Sequence, residues 1–115
     1  MSVNEKIEQA IGELFGGNVW PLKCPHDSAP DTYVTYNPEI EEPGYYADDT
    51  DKDWVQHMQI HVFTKGNYIE MRKETRKRLR ENDFIVTGIY TNYEKETGYN
   101  HLCIECYTEE EQWRM

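Results

Sequence analysis

The stretch Asp53–Thr64, DWVQHMQIHVFT, decides how the chain folds, because it reads differently at the two regular periods. Helical spacing through Val55, Met58 and Val62 leaves Ile60 and Phe63 pointing away from the stripe. Alternation instead puts Trp54, Met58, Ile60 and Val62 on one face, with Gln56 the one polar intruder. The segment is a strand. That reading also governs its two histidines. On a helix, residues four apart share a face and can hold one ion, but on a strand His57 and His61 stand about 13 Å apart at roughly 3.3 Å per residue. One ion cannot bridge them, so both belong with Gln59 on a solvated or interface-facing surface. The open alternative makes one of them a ligand, with His101 and Cys103 supplied by a neighbouring strand.

Downstream, Lys65-Gly66-Asn67 breaks the strand, and Asn67 caps a helix running to about Glu81. Its apolar stripe is Tyr68, Met71, Thr75 and Leu79, while Arg72, Lys73, Arg76, Lys77 and Arg80 fill the flanks and back. Asn82-Asp83 turns the chain into a strand, FIVTGIYTNY (84–93); EKETGY (94–99) is a hairpin loop, and NHLCIECYT (100–108) returns. Within that return, strand alternation separates the two cysteines of C-I-E-C. Cys106 joins Leu102 and Ile104 in the core, and Cys103 joins His101 and Glu105 opposite.

Upstream, residues 1–15 form an amphipathic N-terminal helix with Val3, Ile7, Ile11 and Leu14 in register, a Ser2/Glu5 capping box, and Gly16-Gly17 as its stop. Three prolines make residues 18–31 a connection, and YVTY (33–36) is a short strand. Charge, Pro38, Pro43 and Gly44 make residues 37–53 a long acidic loop, and residues 109–115 an acidic tail. The expected architecture is a single α+β domain spanning 1–115, a small mixed or antiparallel sheet with two packed helices in the order α-β-β-α-β-β.

The chain of 115 residues carries 22 acids against 12 Lys and Arg, a net charge of −10. Its 37% hydrophobic content supports a core, although a mean hydropathy of −0.92 marks a heavily solvated surface. The charge is polarised. MRKETRKRLR (71–80) sets six bases against Glu74, whereas residues 39–53 set Glu39, Glu41, Glu42, Asp48, Asp49, Asp51 and Asp53 against Lys52 alone. These are either solvated faces or complementary patches that meet between subunits. No run approaches the roughly 20 apolar residues of a membrane span. Three cysteines and no apolar leader point to a reducing cytoplasm.

Catalytic signatures are absent. There is no G-x-S-x-G, phosphate loop or H-E-x-x-H, and Cys24-Pro25-His26 is at most half a zinc site. The basic segment suggests phosphate contacts, but the remainder of the chain repels a polyanion. The expectation is a protein that is not an enzyme and takes no cofactor or metal.

YVTYN (33–37), WVQHMQIHVFTK (54–65), YIEMRKETRKRLRENDFIV (68–86) and HLCIECYTEE (101–110) together resemble the small tail terminator, or tail-to-head joining, proteins of long-tailed bacteriophages. The resemblance covers residues 33–111. It implies an α+β subunit without catalytic residues that forms a ring, typically a hexamer, on the tail tube and meets the head connector. DNA then only passes through the lumen, no membrane is involved, and the protein moves from host cytoplasm to virion tail. A heterologous ring contact needs two unlike surfaces; residues 39–53 and Arg72, Lys73, Arg76, Lys77 and Arg80 are the candidates. The competing readings are an acidic binding module, such as an immunity or inhibitor protein masking a basic partner, and a small metalloenzyme built on His101, Cys103 and His57 or His61.

Overall fold

The computed structural model describes residues 2–43 and 53–111. Helix α1 (Val3–Ile11) and a 3-10 turn (Glu13–Phe15) lead into β1 (Val19–Pro21) and β2 (Thr32–Pro43). Then come β3 (Asp53–Thr64), α2 (Tyr68–Glu81), β4 (Ile85–Glu94) and β5 (Tyr99–Glu111). The strands form one five-stranded sheet in the order β1-β2-β3-β5-β4, parallel between β1 and β2 and antiparallel elsewhere. The fold is α+β, in the order α-β-β-β-α-β-β.

β3 lies at the centre, where the alternation in its sequence is realised as burial. Met58, Ile60, Val62 and Thr64 are all but inaccessible, and His57, Gln59, His61 and Phe63 face the other way, partly open. Two polar intruders on the inner face are satisfied locally. Thr64 Oγ1 pairs with Thr32 Oγ1 at 2.9 Å, and the Gln56 amide donates to His57 O at 2.9 Å. α1 covers this face with Val3, Ile7, Ala10 and Ile11, its start fixed by the reciprocal Ser2/Glu5 capping box. α2 packs beside it through a thinner stripe: Thr75 and Leu79 are buried, with Tyr68 and Met71 partly so. Asn67 caps α2 by accepting from the Ile69 and Glu70 amides.

Four departures from the sequence reading have physical causes. The α-helix stops at Ile11, and the 3-10 turn completes the expected 1–15 segment, ending at left-handed Gly16 (φ 62°). β1 is a strand of three residues, too short for any period to register. The stretch 37–53 is not loop from its start: β2 runs on through Asn37–Pro43, paired with β3 across a bulge between Pro38 and Glu41. The acidic residues there look like loop because this half of β2 is an edge, extending past the end of β1. Pro38 fits that edge. The Val34 amide donates to Asn18 O and the Leu22 amide to Tyr36 O, so even-numbered residues of β2 turn their backbone toward β1. Pro38 follows in that series, aimed where no strand among the described residues needs an N–H. Finally, the acidic segment from residue 109 begins as strand, with Glu109, Glu110 and Glu111 opposite Val55, Trp54 and Asp53. Among the described residues no helix is long and apolar enough to cross a membrane.

Candidate functional site

The register gathers acids that lie far apart in sequence. β2, β3 and β5 run on past β4, whose pairing with β5 starts at Ile85↔Tyr107, to form a three-stranded arm. The arm's backbone carries Glu41 and Glu42 on β2, Asp53 on β3 and Glu109, Glu110 and Glu111 on β5. Glu39 sits nearer the body, accepting from Gln59 Nε2 at 2.9 Å, and Glu42 contacts His57 Nε2 at 3.1 Å. Asp48, Asp49 and Asp51 lie outside the described residues. The first acidic segment is plain in the sequence; the contribution of Glu109–Glu111 follows only from strand pairing.

The basic residues do gather on α2. Lys73, Arg76, Lys77 and Arg80 are exposed and Arg72 is partly so. Among the described residues none of these five has an ion-pair partner, and the one ion pair on α2 is Arg78–Glu74 at 3.2 Å. Arg72, Arg76 and Arg80, four residues apart and so on one face, line a groove of about 890 Å³ against Ile85, Gly88 and Ile89 of β4.

The sheet register places the histidines and cysteines. His57 engages Glu42 and lies 5.2 Å from Tyr107 with the ring planes tilted by 37°. Cys103 lies opposite His61 on the outer face, while Cys106 lies opposite Met58 in the core. The C-I-E-C sulfurs thus belong to opposite sides of the sheet. Burial pushes the Cys106 thiol up to about 12, and burial followed by Glu105 and Glu39 raises Cys103. Among the described residues no three His, Cys, Asp or Glu side chains converge as metal ligands would.

The outer face instead holds a linear chain of polar contacts with no counterpart in any sequence motif. Asn37 Nδ2 donates to Pro38 O, leaving Oδ1 to accept from His61 Nε2 at 3.2 Å. His61 Nδ1 is 2.9 Å from His101 Nε2, and His101 Nδ1 is 3.5 Å from a Glu94 carboxylate oxygen. With His61 protonated on Nε2, His101 donates to its Nδ1, and one further proton fits on His101 Nδ1 beside Glu94. A second would place two N–H groups head to head. Burial and then the His101 charge hold the His61 pKa down; burial lowers that of His101 against the opposing pull of Glu94. Phe63 stacks on His101 at 4.4 Å and on Tyr33 at 4.8 Å, so the pair sits within an aromatic row.

No protein-family model matches this sequence, and no curated protein matches it. A solved structure does: a chain of the "Virion of native gene transfer agent (GTA) particle" superposes with a TM-score of 0.65 at 13% sequence identity. The likeness covers 96% of this chain and 96% of that one. The protein has the fold of a subunit found in a virion particle.

Proposed function

We propose that this protein is a structural subunit of a phage-like particle, one that caps the tail tube as a closed ring and joins it to the head connector. The observation that carries the reading is the end-to-end likeness to a virion chain; the resemblance of residues 33–111 to tail terminators supplies the finer role. Its role is structural rather than enzymatic.

Polarised charge gives the ring a means of closing. Glu39, Glu41, Glu42 and Asp53, with Asp48, Asp49 and Asp51 of the same segment, meet Arg72, Lys73, Arg76, Lys77 and Arg80 of the next copy, each contact joining unlike surfaces. The remaining negative charge lets DNA pass without adhering. Disruption of the gene in its parent phage or prophage, with the lysate viewed by negative-stain electron microscopy, tests the role directly. Filled heads separated from tails of irregular length are expected; intact joined virions would reject it. Reversing the charge of Arg76, Lys77 and Arg80 together should block assembly, and unchanged assembly would remove the proposed contact.

The convergence of acids on one arm also favours a second reading, an acidic module that masks a basic protein. A stable one-to-one complex with a basic enzyme, combined with intact virions from the disrupted strain, would establish it.

A further inference from the structure

The groove beside α2 is bounded by a sheet edge, and the two long edges of this sheet are built differently. β2 carries prolines at 38 and 43 in its uncovered half. β4 has no proline from Ile85 to Glu94, and among the described residues no strand lies on its outer side. Alternation along the ladder, carried from β2 through β3 and β5, turns the backbone of Ile89, Thr91 and Tyr93 toward that open side. Exposed apolar surface flanks the edge: Ile85 is 54%, Tyr90 61% and Tyr93 60% accessible. An edge of this kind accepts another strand.

The other half of such a pair is present on the same chain. Beyond Tyr107, where β4 pairing ends, Thr108–Glu111 is already extended and paired with β3, and among the described residues no strand lies on its other side; Thr108 itself is buried, its hydroxyl donating to Asp83 O at 2.9 Å. Its sequence, TEEE, has no proline and is opposite in charge to the groove lined by Arg72, Arg76 and Arg80.

We infer that Thr108–Glu111 of a second copy adds as a strand to the open edge of β4, seated beside the arginine row of α2, so that the sheet continues from one subunit to the next. This rests on the ring reading above and specifies how its subunits join. Backbone pairing sets the register and the unlike charges select the edge.

The experiment is residue-specific photo-crosslinking of the full-length protein, with a benzophenone amino acid in place of Tyr93 and mixed with isotopically labelled unsubstituted protein. Mass spectrometry should find the label joined to Tyr93 through a peptide containing Thr108–Glu111 of the other copy. Arg76→Glu with Arg80→Glu should reduce that product at least tenfold. Thr91→Pro deletes one outward amide of β4, and Glu109→Pro deletes its counterpart on β5, so that either folded variant suffices; each should abolish it. Crosslinks that fall only within one copy, or on other segments, overturn the inference. Should crosslinking fail while gene disruption still separates heads from tails, the strand pairing is wrong and the ring reading survives. Crosslinks at Thr108–Glu111 combined with intact virions would uphold the strand pairing and reject the tail-capping role.

Discussion

Lowering the pH from about 7.5 to about 5.5 should destabilise the fold through one pair of side chains, His61 and His101. The unfolded chain binds a proton on each imidazole near the ordinary value of 6.5. The folded pair accepts one at most, since 2.9 Å between His61 Nδ1 and His101 Nε2 leaves no room for two opposed N–H groups. Both folded pKa values are depressed, so the unfolded state binds more protons, stability is fully present above 6.5, and it is lost as the pH falls. One excluded proton, integrated over that interval, costs about 1.4 kcal/mol. The loss approaches twice that if burial keeps the pair wholly neutral. His61→Gln removes one of the two titrating groups and leaves His101 free to take its proton beside Glu94, so the variant should lack the 1.4 kcal/mol component. Urea unfolding followed by tryptophan fluorescence at the two pH values measures the difference for both proteins. Equal pH dependence in wild type and His61→Gln would refute the head-to-head exclusion, because the other ionisable groups are common to the two chains.

Three further outcomes are expected. Thr75 is fully buried and, among the described residues, its hydroxyl has no partner, so Thr75→Val should raise stability by about 1 kcal/mol in chemical denaturation; a lower midpoint would show that the hydroxyl is bonded. Leu22 is 72% exposed and held at φ 69°, a conformation that costs a side-chain-bearing residue roughly 1–2 kcal/mol. Leu22→Asn should therefore raise the melting temperature, and a drop would mean that the leucine side chain contributes packing. With Cys106 buried and its thiol pushed up to about 12, iodoacetamide should modify Cys24 and Cys103 in the native protein and reach Cys106 only on unfolding. Alkylation of Cys106 at the native rate, read by mass spectrometry, would contradict its place in the core.

Sequence periodicity locates the elements that bury one face. DWVQHMQIHVFT announces β3 because Met58, Ile60 and Val62 alternate with the polar His57, Gln59 and His61, and the capping residues Ser2 and Asn67 mark both helix starts. The uncovered half of β2 is illegible for the opposite reason. Edge position, charge and proline serve one purpose there, and on paper they read as loop. The candidate site divides the same way. The arginine row is a local helical repeat and can be read directly, whereas the acidic arm and the His61–His101 contact are products of the β3–β5 register and have no local signature. The open edge of β4 is likewise a property of strand order.

The pairing of β3 with β5 has a consequence for how the protein is made. β3 is finished at Thr64, but the strand beside it does not begin until Tyr99, with a helix and β4 emerging between them. During synthesis, the central strand therefore waits with one side uncovered while the ribosome delivers everything up to Glu111. The acidic arm is completed by the last of those residues. On the proposed pairing, a nascent chain interrupted before them has the arginine groove without the acidic strand that would fill a neighbour's, and so can accept a subunit but not be accepted by one. Under the proposed strand pairing, a small admixture of such fragments would end a growing ring at the position each one occupies.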